Sequence, residues 1–347
     1  MANRSVWLIF FEGIKIFALN IHKFMLYMAF PVLGQILGIF LIFGLTFWFT
    51  QNMQDIAAKY DALNNMSSMI TLIVVSVIPG VLILIKAFWD YLVAFVALNS
   101  MTEGYLNTGR VYDFKAHNSV ATQKSFSFIT IWFLISVMTI LGILPVFWIF
   151  AGLFFVYFIL VFQVFTFENG LSPFGYFKRS MFLIKGKFGR TFLLMAILTI
   201  FTYVILVSGL GVLFDAFNWT NPLAKMFEAW AYTLPLEAIN NIKIPTVMGI
   251  VIVKEILLTP AMIGEELVKQ LIFFLAIGFS LPIRSICWTL WYNELASEDE
   301  PVVKKPKKRV KKTTTSQQKP VAKTFKIEKR GIDPEVIRRA RLEDDEY

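Results

Sequence analysis

The chain has 347 residues, of which 57% are hydrophobic and 16% are charged, and its formal net charge is +9. Soluble domains carry about a quarter of charged residues, so this composition excludes an ordinary water-soluble protein and indicates one that lies in a lipid bilayer. The single cysteine, Cys287, excludes an intramolecular disulfide framework and a multi-cysteine metal site.

Residues 1–23 form the first predicted element, an amphipathic lead-in helix. Its apolar side chains recur at helical spacing, at Trp7, Phe10, Phe11, Ile14 and Phe17. Glu12 and Lys15 interrupt the apolar run, whereas a signal peptide needs an unbroken apolar core. We therefore expect an interfacial helix that leads into the first membrane span.

Six apolar runs follow, each close to or above the roughly 20 residues that a helix needs to cross a bilayer core. They cover residues 24–50, 69–98, 126–143, 146–167, 191–214 and 271–293. The runs lack strand-like alternation, and lipid cannot satisfy free backbone groups, so every span is predicted to be a helix. The predicted fold is an all-α, polytopic transmembrane bundle, with a six-span membrane domain over residues 24–296.

Residues 244–264 are apolar as well, but Lys254 and Glu255 interrupt them at the centre. The unbroken apolar part is too short to cross a bilayer. We expect residues 216–268 to form amphipathic helices outside the membrane, lying on the bundle or on the bilayer surface. A re-entrant hairpin is the alternative.

The loop charges predict the orientation. Net basic charge is found before span one, between spans two and three, between spans four and five, and in the tail from Glu294, whereas segments 51–68 and 215–270 are net acidic. Basic loops stay on the cytoplasmic side, so six crossings place both termini in the cytoplasm of a multi-pass protein in the plasma (inner) membrane. A seventh span over residues 244–264 would break this alternation.

The two halves of the membrane domain look duplicated. Pro79 is followed ten and eleven residues later by Trp89 and Asp90, and Pro282 is followed at the same distances by Tyr292 and Asn293. The pattern predicts two parallel repeats around a central hairpin that spans three and four form. Pro79 and Pro282 are candidate hinges, because proline kinks a helix.

Two segments carry a resemblance to a known family. The first is Phe177–Gly186, which precedes span five, and the second is Thr289–Leu295, which closes span six. They resemble the corresponding segments of a broad group of bacterial six-helix integral membrane proteins, which includes the membrane domain of glycerophosphodiester phosphodiesterases and uncharacterised relatives. Asn293 stands where that group has Asp. The resemblance implies a six-helix fold over residues 1–296 and implies no activity, because the soluble phosphodiesterase domain is missing.

Charged and polar side chains within the spans form a candidate intramembrane site, made of Lys86, Asp90, Arg284 and Asn293. Ionised groups at membrane depth are costly unless they are paired or face water. These side chains could line a path for a substrate, a proton or an anionic head group. Alternatively, Lys86 and Asp90 form an interfacial i,i+4 pair, and Arg284 pairs with Asp90 or Glu266.

Signals for catalysis are missing from the sequence. His22 and His117 are the only histidines, and they stand alone. We find no metal-ligand spacing, no phosphate loop, no nucleophile elbow and no dinucleotide fingerprint. The sequence therefore predicts a protein that is not an enzyme, with no cofactor and no metal.

The tail is predicted to be a disordered lysine-rich linker over residues 297–331, followed by a short helix over 332–347 that Asp333 caps. Seven basic residues crowd the linker: Lys304, Lys305, Lys307, Lys308, Arg309, Lys311 and Lys312. We expect them to bind anionic lipid head groups. Ribosomal RNA is an alternative partner, a solubilising role is another, and the final helix could dock on a cytoplasmic protein.

The expected function is that of a non-catalytic integral membrane protein, which binds lipids or envelope partners and contacts anionic lipid or protein through its basic tail. One alternative is a transporter or lipid translocator with a polar intramembrane site. Another is an insertase-like factor whose tail contacts the ribosome.

Overall fold

The computed structural model describes residues 4–60, 65–111, 114–234, 236 and 258–299. Helices make up nearly all of these residues, and no strand occurs among them, which confirms the all-α class. The predicted linker beyond Asp299, the predicted helix 332–347 and most of the ambiguous segment 244–264 lie outside the described residues.

The helices are numbered here in chain order, and a 3-10 turn and a π-helical segment join some of them. They are α1 Val6–Leu19, α2 Ile21–Lys59, α3 Met66–Thr108, α4 Phe114–Gln123, α5 Ser125–Leu141, the 3-10 turn Pro145–Phe147, α6 Trp148–Phe158, α7 Val161–Phe167, α8 Pro173–Ile184, α9 Phe188–Thr199, the π segment Ile200–Leu206, α10 Val207–Ala216, α11 Thr220–Ala231 and α12 Pro260–Asp299.

Five stretches of helix are long and apolar enough to cross a membrane, within the residues that were searched. They are Ile21–Lys59, Ser67–Thr108, Pro145–Phe167, Phe188–Ala216 and Pro260–Glu298. The pair α4 and α5 is bent by 80° and makes a sixth if the pair counts as one span. Each of the five contains one of the predicted runs, and the remaining run, 126–143, overlaps α5. The six-span count and the parallel repeat stay predictions.

The chain divides into two compact units. The first unit comprises Met1–Ile21, Phe95–Ala196 and Pro282–Tyr347. The second unit comprises His22–Ala94 and Ile197–Leu281. Because α3 and α12 each contribute to both units, the boundary does not follow the ends of helices.

In the second unit, glycines let α2 and α3 approach closely. A Cβ atom on Gly38 would lie 2.8 Å from the Cβ of Leu84 and 2.9 Å from the carbonyl oxygen of Gly80. One turn earlier, a Cβ on Gly34 would lie 2.9 Å from the Cβ of Ala87. Small residues four apart are a common way of packing membrane helices, where backbone contact replaces the hydrophobic driving force.

A second group of apolar contacts holds α10, α11 and the first half of α12 together in the same unit. Phe214, Val268 and Ile272 form its buried centre, and Leu223 and Phe227 of α11 pack against them. A Cβ atom on Gly264 would meet the backbone of α11, so this glycine sets the spacing of the two helices.

In the first unit, α1 packs on the last third of α12. Gly13 faces the sulfur of Cys287 so closely that a Cβ atom at Gly13 would clash with it. The opposite side of α1 carries exposed apolar residues, with Trp7 and Phe11 among them. An interfacial helix needs such an apolar outer face, although its position in a bilayer stays a prediction.

Also in the first unit, α8 begins and ends with recognisable start and stop residues. The side chain of Ser172 accepts a hydrogen bond from the Gly175 N–H at 3.2 Å, and Pro173 occupies the first helical position. Gly186, just beyond the end of the helix, has a φ of 82°, which favours glycine. Pro79 and Pro282 lie within α3 and α12, and their role as hinges stays a prediction.

Candidate functional site

The four predicted intramembrane residues are divided between the two units. Lys86 and Asp90 belong to the second unit, whereas Arg284 and Asn293 belong to the first. The Lys86 ammonium contacts both carboxylate oxygens of Asp90, and the Lys86 side chain is 61% exposed. Their i,i+4 spacing on α3 produces this ion pair directly.

Arg284 lies near the middle of α12, and Asn293 lies in its last third. Arg284 is half-buried, whereas Asn293 is exposed. Asn293 lines an open cleft of about 560 Å³ together with three charged residues, which are Arg4 before α1, Glu12 on α1 and Glu294 on α12. The structure does not bring the four predicted residues together within one unit. As an intramembrane site, they remain a prediction.

A buried group of amide and hydroxyl side chains lies in the first unit, and we call it the Asn99 cluster. Its members are Asn99, Gln163, Thr166, Ser285 and Thr289, all of them buried. The Asn99 side-chain oxygen accepts hydrogen bonds from the amide nitrogen of Gln163 at 3.1 Å, from Ser285 at 2.5 Å and from Thr289 at 3.3 Å. Its amide nitrogen donates to Thr166 at 3.4 Å.

The Asn99 cluster ties three helices together through side chains. Asn99 comes from α3, Gln163 and Thr166 from α7, and Ser285 and Thr289 from α12. Both polar atoms of the Asn99 amide are hydrogen-bonded, whereas the buried side-chain oxygen of Gln163 has no hydrogen-bond partner among the described residues. Buried hydrogen-bond networks of this kind fix the relative rotation of helices. The cluster contains no titratable side chain, so it is suited to holding helices and not to moving protons.

An ion pair in the same unit is almost fully enclosed. Two carboxylate oxygens of Glu168 accept from the Nε of Arg179 at 2.9 and 3.1 Å, and one of them also accepts from the Tyr292 hydroxyl at 3.0 Å. Only 2% of Glu168 is exposed. Burial and, to a smaller extent, the Glu168 carboxylate raise the pKa of the neighbouring Tyr176 hydroxyl. The phenol therefore stays neutral beside the acid.

Lys124 lies in the turn between α4 and α5, and its side chain contacts the end of α7. Its ammonium donates to the carbonyl oxygen of Phe165 at 2.8 Å and to that of Glu168 at 3.2 Å. It also lies 5.0 Å from the centre of the Phe165 ring. These contacts satisfy the last carbonyls of α7, which have no partner within their own helix.

The two segments that carry the family resemblance occupy the same unit. The indole N–H of Trp291 donates to Thr191 at 3.1 Å, and the Arg190 guanidinium lies 4.9 Å from the Trp291 ring centre. A cavity of about 220 Å³ lies between the two segments, and Phe182, Leu183, Lys185, Lys187, Leu295 and Glu298 line it.

The searched residues contain no group of three His, Cys, Asp or Glu side chains that could hold a metal ion. His117 is buried, and its Nδ1 lies 2.9 Å from the Ser100 hydroxyl. The seven basic tail residues lie outside the described part of the chain. The expectations about catalysis and about the tail stay predictions.

Sequence reasoning missed the Asn99 cluster, and it treated Glu168 and Arg179 only as loop charges. A signal for Glu168 was present, because it is the one acidic residue among five basic ones in segment 168–190. An acid in such a basic loop is a strong candidate for a buried ion pair. Asn99 and Gln163 also stand out as amides next to long apolar runs.

The fold and these sites define a class of protein: a helical protein with five or six helices that are long and apolar enough to cross a membrane. No protein-family description, no curated protein and no solved structure matches the chain. The resemblance to the bacterial six-helix family stays a prediction.

Proposed function

We propose that this chain is a non-catalytic, multi-pass protein of the plasma (inner) membrane that binds anionic lipids or envelope partners at its cytoplasmic face. The observation that carries the proposal is the internal hydrogen bonding of the Asn99 cluster. Its side chains hydrogen-bond to one another in the interior of the first unit, and none of them lines either of the two described cavities.

A transporter needs polar groups that face a passage through the membrane. The oxygen of Asn99 is already occupied by three donors, and the ammonium of Lys86 is occupied by Asp90. Polar groups used in this way stabilise helix packing. They support a scaffold or binding role more than a transport role.

Basic residues on the predicted cytoplasmic face are the reason for proposing that the chain binds anionic lipid. Segment 168–190 carries five basic residues against the single acid Glu168, which Arg179 already neutralises. Lys178 and Lys185 are exposed. They lie just before the predicted span 191–214, where each lysine attracts anionic lipid by up to roughly 1 kcal/mol. The seven basic tail residues are proposed to add to this attraction.

Lipid analysis of the purified full-length protein tests this proposal. The protein is extracted in native lipid nanodiscs, and its retained lipids are compared with those of the whole membrane. We expect anionic lipids to be enriched, and we expect the enrichment to fall when the seven basic tail residues are changed to glutamine. Retained lipid with the composition of the bulk membrane would contradict the proposal. Lipid scrambling or solute uptake above that of protein-free liposomes would favour the transporter alternative.

A further inference from the structure

We propose that the cavity at the end of α8 binds the head group of an anionic phospholipid of the phosphatidylglycerol type. This inference rests on the proposed function and assigns it to a site, which we call the Lys185 pocket. The pocket has an apolar floor and a charged rim. The buried Leu183 and Leu295 form the floor, the exposed Phe182 lies beside them, and Lys185, Lys187 and Glu298 form the rim.

The turn after α8 brings the two lysines to the same cavity. The helix ends at Ile184, and Gly186 turns the backbone with a φ of 82°. The N–H of Lys187 then donates to the carbonyl of Ile184 at 2.8 Å. A side chain at position 186 would strain this turn, so the geometry depends on glycine.

The charges on the rim match a phosphate diester that carries hydroxyl groups. Lys187 pairs with Glu298 at 3.0 Å, while Lys185 is exposed. Two cations against one carboxylate leave a net positive charge, which a phosphate diester neutralises. The remaining lone pairs of Glu298 can accept hydrogen bonds from the hydroxyls of a glycerol head group.

The pocket also lies where a head group would be in the predicted topology. The predicted span 191–214 begins four residues after Lys187, and the predicted span 271–293 ends five residues before Glu298. Lipid phosphates lie just outside the hydrocarbon core, so both lysines and the acid are proposed to lie at the level of the head groups.

The outer side of α8 extends this surface along the helix. Phe174 is 63% exposed and Phe182 is 55% exposed, and Met181 and Lys178 are exposed between them. Exposed aromatic and basic side chains in alternation are typical of a helix that lies at a bilayer interface. The acyl chains of a lipid held in the pocket would run against this apolar surface.

The test measures binding of phosphatidylglycerol to the full-length protein in detergent micelles by native mass spectrometry. The pocket variant is Lys185→Gln with Lys187→Gln. Its matched control is Lys225→Gln with Lys269→Gln, which removes the same charge from two exposed lysines of the segment that is predicted to face the other side. A second control variant, Lys185→Arg with Lys187→Arg, keeps both positive charges of the pocket.

We expect the pocket variant to bind phosphatidylglycerol roughly tenfold more weakly, and the control and arginine variants to stay within about twofold of the unmodified protein. If the pocket variant is folded and binds phosphatidylglycerol as well as the unmodified protein does, the lipid is held elsewhere. That result overturns the Lys185 pocket as the site and leaves the proposed function standing. An unmodified protein that retains no anionic lipid overturns both.

Two further binding measurements distinguish the phosphate of an anionic lipid from that of a zwitterionic lipid and from free glycerol phosphate. Phosphatidylethanolamine is offered in place of phosphatidylglycerol, and free glycerol phosphate is added as a competitor. Weaker binding of the zwitterionic lipid and no displacement by glycerol phosphate support a site for an anionic lipid. Equal binding of the two lipids overturns the charge assignment, and displacement by glycerol phosphate overturns the assignment to lipid.

Discussion

At the scale of single residues, Glu168 is the side chain whose environment differs most from that of its neighbours in sequence. It is the only acid in a basic segment, yet it is enclosed, and it receives hydrogen bonds from Arg179 and Tyr292. A buried ion pair is costly to break, because one charge stays in a low-dielectric site after its counter-charge is removed. Glu168 therefore holds α8 and the end of α12 to the end of α7.

Changing Glu168 to glutamine is expected to lower the free energy of unfolding by about 3 kcal/mol. The measurement is thermal unfolding in detergent, followed with a thiol-reactive dye. The chain offers its own reporter for this assay, because its single cysteine, Cys287, is fully buried and becomes reactive only when the surrounding helices separate.

The control is Glu12→Gln, which makes the same chemical change in an ion pair with the half-exposed Arg4. Exposed pairs contribute about 0–1 kcal/mol, so we expect little effect. Equal losses of stability in the two variants would show that the buried ion pair of Glu168 stabilises the fold no more than an exposed ion pair does.

At the scale of helices, the largest difference from the sequence prediction is length. The helices α2, α3 and α12 have 39, 43 and 40 residues. At 1.5 Å per residue each is about 60 Å long, roughly twice the thickness of a hydrocarbon core. Hydropathy marks where an apolar run ends, whereas a helix continues for as long as its backbone hydrogen bonds do. The apolar runs therefore predicted where the apolar helices lie and did not predict where those helices end.

The close approach of α2 and α3 gives a prediction at the same scale. Changing Gly38 to valine places a Cβ against Leu84 and the Gly80 carbonyl, so we expect the free energy of unfolding to fall by about 1–3 kcal/mol. The matched control is Gly44→Val on the same helix, where a Cβ meets nothing within 4 Å.

Both glycine variants lose the same backbone freedom and gain the same β-branched side chain. The difference between their thermal unfolding curves, measured by far-UV circular dichroism, therefore isolates the helix contact. Identical curves would mean that α2 and α3 do not depend on a small residue at Gly38.

At the scale of the whole molecule, the number of crossings among the described residues depends on one region. Five helical stretches are long and apolar enough by themselves, and the bent pair of α4 and α5 decides between five and six. An even number places both termini on the same side of the membrane, and an odd number places them on opposite sides. The alternation of loop charge favours six.

Reporter fusions test this count. We expect a reporter at the amino terminus and one after Tyr347 both to report a cytoplasmic position, while a reporter inserted within segment 51–68 reports the outer side. Termini on opposite sides would mean that the six-span count is wrong, because either Phe114–Leu141 enters and leaves on the same face or residues 244–264 cross as a seventh span.

The sequence by itself determined the all-α class, the positions of the apolar runs and the ion pair between Lys86 and Asp90. These properties depend on local composition and on helical spacing, which can be read from neighbouring residues. The start of α8 at Ser172-Pro173 and its end before Gly186 are local in the same sense.

Only the tertiary structure decided which polar groups meet in the interior. Ser285 and Asn99 are 186 residues apart in sequence, and Tyr292 and Glu168 are 124 apart. No local pattern records such a pairing, because a buried polar group is satisfied by whichever partners the packing of distant helices brings within reach.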